Sequence, residues 1–488
     1  MAQGLVKYSA FVMNKVRSSL TYSALNSYST LLLQIISTVI IARLLTPEQT
    51  GVFAVAAVFA ALASTFRDFG IGEYLIQEKE ITDETLRAAL AVNIAISWIM
   101  AAALFAAAPF AGRFYGNAGV TDVMRVQSIS FLLIPFGAIT MAWFRREMNF
   151  RPILISGIAA NVVGFAVSVS MAFMGYGYMS LAWASVAGVV VTVAVSFAMR
   201  PAWFPHLPAL KGAKRIIHFG KFASLIYIFS QAGNGAPELI IGRASGMAGV
   251  GMFSRAAGLV EIFNHLVLRA VMLVCLPYLA AGARAQGSVV PALKTMISYL
   301  TVVGWPFLLF LGLAAYPAIR LLYGPQWVEA VSIAQILCAA AAVELLFSPS
   351  RDVLLALGKP REAATMQGTI QGLRVIGLLA AVPLGLVGAA WGLLLAAVGG
   401  LVFSRWYLGR HAGLLWRDWW HSTKLSALMA GLSTAPAAAL LFWIPPDETN
   451  YILLGVGAGL TTAVLWLGTL RALKHPLWAE IVRMKGWL

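Results

Sequence analysis

Charge is what this chain has least of. Asp, Glu, Lys and Arg make up 11% of its 488 residues, less than half the roughly 25% of a water-soluble domain. Cysteine is nearly absent: Cys275 and Cys338 both fall inside apolar runs. With no Cys-x-x-Cys and no Cys/His cluster, neither a disulfide framework nor a zinc site is indicated. No G-x-x-x-x-G-K-[ST] occurs; Gly220-Lys221 and Gly358-Lys359 lack the rest of that motif, which argues against ATP hydrolysis by this chain. Nor is there a nucleophile elbow, a metal motif or a hydrophilic stretch long enough for a nucleotide-sugar domain, so no catalytic residue is assigned. The 10-residue alternating segments of a membrane β-barrel are missing too.

What the chain does have is apolar length. Hydrophobic residues make up 60% of it, in runs separated by short charged or Gly/Pro-containing breaks, the pattern of a polytopic helical membrane protein. The fold class expected is all-α, with about fourteen transmembrane helices near 20–42, 51–66, 88–111, 121–143, 153–174, 178–199, 217–243, 255–280, 297–318, 330–348, 363–384, 386–408, 424–444 and 451–471. Ahead of them, Leu5, Tyr8, Val12 and Val16 share one face, and residues 1–18 read as an interfacial helix.

Thirty-five Lys and Arg against nineteen Asp and Glu give a net charge of +16, and the excess is arranged by loop. Lys7, Lys15 and Arg17 precede the first run; Arg145, Arg146 and Arg151 follow the fourth; Arg200, Lys211, Lys214 and Arg215 follow the sixth. The opposite side holds only Arg43, Arg113, Arg125, Arg243, Arg255 and Arg320. By the positive-inside rule both termini are cytoplasmic. The basic balance is thus a topology signal, and nucleic acid is not an expected partner.

The chain also repeats itself. IIARLLTPEQTGVFAVA from Ile40 and IIGRASGMAGVGMFSRA from Ile240 share Arg43/Arg243, Gly51/Gly251, Phe53/Phe253 and Ala56/Ala256 at an offset of 200. At an offset of 208, Tyr115-Gly116 meets Tyr323-Gly324, Arg151-Pro152 meets Lys359-Pro360, Gly164 meets Gly372, Gly177 meets Gly385, and Ala182-Trp183 meets Ala390-Trp391. An insertion of eight residues between about 257 and 322 reconciles the two offsets. Six spans separate equivalent positions, so two six-helix lobes share one orientation, related by a pseudo-two-fold along the membrane normal with a cavity between them. The expected domains are 1–216 and 217–411 for the lobes and 412–488 for two additional helices and an amphipathic tail.

Polar groups inside the runs are the candidate site. Asn26, Thr30 and Gln34 form a stripe on the first span, and Tyr227, Gln231 and Asn234 one on the seventh, leading to Glu238. Glu261, His265 and Arg269 follow at four-residue steps on the eighth, Glu344 lies on the tenth, and Gln367, Gln371 and Arg374 on the eleventh. A charge at the bilayer centre costs about 2.5–3.5 kcal/mol, so Glu261 and Arg374 should face a cavity or a partner rather than lipid.

IIARLLTPEQTGVFAV, FRDFGIGEYLIQEKEIT and FRREMNFRP carry a resemblance, over residues 18–475, to polysaccharide flippases of the Wzx type in the multidrug/oligosaccharidyl-lipid/polysaccharide exporter superfamily. The resemblance implies a V-shaped pair of lobes and alternating-access translocation of undecaprenyl-diphosphate-linked oligosaccharide from the inner to the outer leaflet of a bacterial cytoplasmic membrane. It implies polyprenyl-linked glycan and membrane lipid as partners, with a glycan polymerase and chain-length regulator as candidate neighbours, and no cofactor beyond a coupling cation, H+ or Na+. Arg255, Arg269 and Arg374, then Arg43 and Arg243, would face the diphosphate, because an arginine fork fits it. Glu261, His265, Glu238 and Glu344 are the coupling candidates. The alternatives are a cation-coupled multidrug exporter of the same superfamily, which the basic intramembrane set disfavours, and a membrane glycan polymerase or ligase, which the short outer loops disfavour.

Overall fold

A computed structural model describes the backbone of residues 2–485 except Phe69, His206 and Gly287. Side chains are described throughout except at 1–20, 24, 218–229, 266, 267, 269, 270, 273, 274, 283, 285, 286, 480, 481 and 483–485. The chain packs as two units, one of residues 1–235 with 246–250 and one of 236–245 with 251–488.

The first unit holds α1 (Ala2–Leu44), α2 (Pro47–Asp68), α3 (Ile71–Gln77), α4 (Asp83–Tyr115), α5 (Ala118–Leu133), α6 (Pro135–Arg146), α7 (Phe150–Phe173), α8 (Tyr178–Met199) and the beginning of α9 (Ala213–Ala244). The second holds the end of α9, most of α10 (Gly246–Phe263), then α11 (Arg269–Gln286), α12 (Val290–Leu313), α13 (Ala315–Leu322), α14 (Ala330–Glu344), α15 (Ser350–Ala356), α16 (Pro360–Ala381), α17 (Gly385–Ala412), α18 (Trp416–Trp443), α19 (Tyr451–Ala472) and α20 (Pro476–Lys485). A π-helical stretch, Asn264–Leu268, joins α10 to α11.

Each expected span falls on helix, but the number that qualifies is smaller than fourteen. Among the described residues nine helical stretches are long and apolar enough to cross a membrane, ten when α5 and α6, bent by 55° at Ile134, count as one. The physical reason for the difference is breakage. The span expected at 330–348 is only the 15-residue α14 followed by a non-helical turn, and α16 and α17 run into one apolar stretch, Pro360–Ala412. The expected surface helix joins the first span without a break, since α1 is continuous from Ala2 to Leu44; its outward face lies outside the described side chains.

The sequence repeat has structural counterparts. Gly116 and Gly324, the glycines of the two Tyr-Gly pairs, both take positive φ, 65° and 103°, where a side chain would be strained. Gly177 and Gly385 do the same, the first just ahead of α8 and the second as the opening residue of α17. Ala182 and Ala390 are wholly buried while their neighbours Trp183 and Trp391 are exposed. α4 starts at Asp83 and α12 at Val290, already near the larger offset. The insertion therefore lies in α10, the π stretch and α11.

At the tail, His475 is 1% exposed between α19 and α20. Its Nδ1 accepts from the Leu477 N–H at 3.2 Å, so Nε2 carries the proton and donates to Ser298 Oγ at 2.9 Å. Burial holds this imidazole below its usual 6.5. A depressed histidine contributes stability that is present above the unfolded value and lost as pH falls through the folded one. Thermal unfolding of the purified protein should therefore show a midpoint that drops on acidification below about pH 6.5, and His475→Asn should flatten that dependence.

Candidate functional site

α1 meets α7 through residues four apart on each helix. Gly157 leaves room for Asn26: a Cβ there would stand 2.3 Å from Asn26 Oδ1. One turn on, Asn161 Nδ2 donates to Thr30 Oγ1 at 3.0 Å. Beside that contact a groove of about 350 Å³ opens between α1, α7 and α8. Gln34, Ser37 and Thr38 line it from α1, Ser168 from α7 and Ser185 from α8. Ser168 and Ser185 donate back to the carbonyls of Phe165 and Leu181, which leaves their oxygens able to accept. None of the groove's lining residues is charged. It can therefore bind hydroxyl-rich groups by exchanging hydrogen bonds, but has no charge to hold an anion.

The corresponding helices of the repeat carry charge. At the offset of 200, Thr38 becomes Glu238 on α9 and Gln34 becomes Asn234. On α16, Arg374 interacts electrostatically with Glu238. The Arg374 Nε and Glu238 Oε2 are both buried without a hydrogen-bond partner, as is the Oε1 of Gln371, whose residue is 8% exposed. A Cβ added at Gly368 or Gly372, one turn apart on α16, would meet nothing within 4 Å, so the helix has open space beside it. Counting along the helices, Glu238 and Arg374 lie roughly 9–11 Å from the ends next to the short outer turns.

The remaining sequence candidates are distributed otherwise. Arg255 does not point at open space: its guanidinium stands 5.6 Å from the Tyr323 ring and 5.2 Å from that of Trp327, both almost wholly buried. This cation–π clamp ties α10 to the turn after α13. Arg255→Ala should lower stability by about 1–2 kcal/mol, read as reduced melting temperature, with Arg255→Lys milder. Glu261 and His265 pair at 3.2 Å, and Asn264 Nδ2 donates to the same carboxylate at 2.8 Å. Glu261 is exposed and His265 sits in the π-helical stretch, so the regular four-residue ladder expected through Arg269 is interrupted. The side chains of Arg269 and Tyr227 lie outside the described residues. Gln231 is half-buried and Asn234 exposed. Glu344 ends α14, half-buried. Arg43 and Arg243 are exposed in the last turns of α1 and α9, where a cation complements the helix dipole.

Sequence reasoning missed Asn161, Ser168 and Ser185. Each is an isolated polar residue in an apolar run, and only the packing of α7 on α1 and α8 assigns them to one groove.

Each unit is built of long apolar helices that carry polar side chains within them, the chemistry of a polytopic membrane protein that handles a polar solute. The chain belongs to the polysaccharide biosynthesis protein family, whose model matches residues 40–332. It is 23% identical to the teichuronic acid biosynthesis protein TuaB of Bacillus subtilis, over 81% of this chain and 83% of that protein. It is 24% identical to the lipopolysaccharide biosynthesis protein WzxC of Escherichia coli, over 70% of each, and 26% identical to the succinoglycan biosynthesis transport protein ExoT of Rhizobium meliloti, over 67% of this chain and 66% of that one. In fold it is similar to the lipid II flippase MurJ in an inward closed conformation, with TM-score 0.71 and 14% identity over 93% of this chain and 100% of that one. An inward-facing multidrug resistance MATE family transporter gives TM-score 0.56 at 16% identity over 80% and 98%.

Proposed function

We propose that this protein translocates undecaprenyl-diphosphate-linked oligosaccharide repeat units from the inner to the outer leaflet of the bacterial cytoplasmic membrane by alternating access. The supporting observation is the division of labour between matched helices. An uncharged hydrogen-bonding groove on α1, α7 and α8 suits sugar hydroxyls, while Arg374 on α16 suits a diphosphate. Such a headgroup cannot cross hydrocarbon unaided, because unpaired polar groups there cost several kcal/mol each. We assign the headgroup to Arg374 and the coupling role, with H+ or Na+, to Glu238. Arg255 serves this route as a structural anchor. Relatives named for glycan export and glycan synthesis support the cargo class.

Gln34→Leu combined with Asn161→Leu keeps approximate volume and removes the groove's amides. In a strain whose polysaccharide export depends on this gene, the double variant should export several-fold less glycan at normal membrane abundance. Wild-type export from the double variant would remove the groove from the route.

A further inference from the structure

A second basin lies at the end of the first unit where its basic loops gather. Its volume is about 650 Å³. Three segments build it: the stretch after α3, the first turns of α4, and the turn that starts α9. Arg146, at the end of α6, holds the first of these by donating to the carbonyls of Leu75 at 2.7 Å, Lys79 at 3.1 Å, and Glu78. The third is tied to α4 by the Ala209 N–H to Arg87 carbonyl bond at 3.2 Å and by Lys211 to Glu84 at 3.0 Å. Gly212, with φ at 88°, makes the sharp turn between Lys211 and Lys214. The site is therefore framed by hydrogen bonds from three elements.

The charges inside are unequally compensated. Lys211 is paired with Glu84. Arg215 lies within the charge field of Glu78, whose carboxyl is held below its usual range chiefly by the Tyr74 hydroxyl, then by the Lys79 N–H and the charges of Arg215 and Arg146. Lys79 and Lys214 are exposed and have no ion pair among the described residues. Lys79 and Lys214 line the basin with Arg215; of its three acids Glu84 is paired with Lys211 and Glu78 lies in the field of Arg215, which leaves Glu80 against two ammonium groups and a balance that favours an anion of phosphate type. The same linker exposes apolar side chains: Trp203 is 60%, Leu207 67% and Leu210 79% exposed, just before Lys211. In a segment at the end of two spans, those residues belong in the acyl boundary, with the cations at headgroup level.

We infer that this basin is a docking site for the diphosphate headgroup of an isoprenoid lipid, held by Lys79, Lys214 and Arg215 at the membrane surface before it enters the transport route. The inference rests on the proposed flippase function for its ligand, and on the positive-inside rule for its side of the membrane.

Binding to the purified full-length protein tests it without requiring transport. The protein carries Arg374→Ala, to remove the intramembrane cation, and the probe is farnesyl diphosphate at low salt. This protein should bind the probe, and Lys79→Glu with Lys214→Glu should weaken binding at least about tenfold. Glu80→Gln, which removes a negative charge from the rim, should strengthen it by about two- to threefold, an increase that misfolding cannot produce. Farnesol should not compete. Unchanged affinity in the charge-reversal pair overturns the site. Inorganic diphosphate binding as tightly as farnesyl diphosphate overturns the lipid assignment in favour of a soluble phosphate ligand. Because export is not measured, failure here leaves the proposed function standing; loss of export in groove variants with normal basin binding tests that function separately.

Discussion

Arg374→Ala should reduce glycan export per molecule of protein in the membrane by roughly ten- to a hundredfold. The guanidinium lies within the charge field of Glu238 and keeps its buried Nε without a hydrogen bond. A diphosphate arriving there would satisfy that donor and compete with Glu238 for the cation. A hydrogen bond to a charged group contributes about 1.5–3 kcal/mol, so its loss should reduce transport by roughly ten- to a hundredfold. Removing Arg374 alone also leaves the Glu238 carboxylate uncompensated. The companion double variant, Arg374→Gln with Glu238→Gln, removes both charges and should restore any abundance lost in the single variant without restoring export. Full activity in Arg374→Lys would show that point charge suffices there and that the planar fork is not required.

The largest effect on stability is expected at a site with no polar chemistry. α16 and α17 cross at Gly377 and Gly392, where each glycine faces the other's backbone. A Cβ on Gly392 would stand 2.3 Å from the Gly377 carbonyl oxygen and 2.7 Å from the Ala381 Cβ. Backbone cannot move aside as a flexible side chain would, so the helices would have to separate. Small residues at such crossings are what allow helices to pack in a bilayer, where lipid supplies no hydrophobic drive between them. Gly392→Val should therefore cost about 1–3 kcal/mol or more, read as low membrane abundance and early thermal aggregation. At Gly468 on α19, a Cβ meets nothing within 4 Å, and Gly468→Ala serves as the matched control with little change.

The helical architecture was largely legible because its signals are long: apolar runs, the bias of basic residues, and a duplication marked by Tyr-Gly and Ala-Trp pairs. The same glycines that flagged the repeat, Gly116 with Gly324 and Gly177 with Gly385, prove to be positive-φ positions, so their recurrence has a backbone cause. Breaks inside runs were not legible. Ile134 interrupts its helix directly before Pro135, a boundary signal submerged in the apolar run around it, Ala314 carries no breaker of its own, and the π stretch at His265 alters the register on which the Glu261–Arg269 ladder depended. For the candidate site, composition identified the costly residues but not their neighbours. Arg255 and Arg374 look alike in sequence, each a lone cation in an apolar run. One is packed on two aromatic rings brought from seventy residues away, and the other faces a carboxylate. That difference is purely tertiary. The groove of α1 was half visible, through Thr30 and Gln34, and half supplied by α7 and α8.

The central claim is that this chain by itself carries a charged, glycan-bearing lipid through a bilayer. Purified protein in liposomes, loaded with an undecaprenyl-diphosphate-linked oligosaccharide on one leaflet, tests it through a glycosidase or lectin added to the other side. The account predicts that wild-type protein delivers the glycan to the far leaflet, and that Arg374→Ala vesicles resemble protein-free ones. Equal delivery by wild type and Arg374→Ala, or none by a folded wild-type protein, would contradict it.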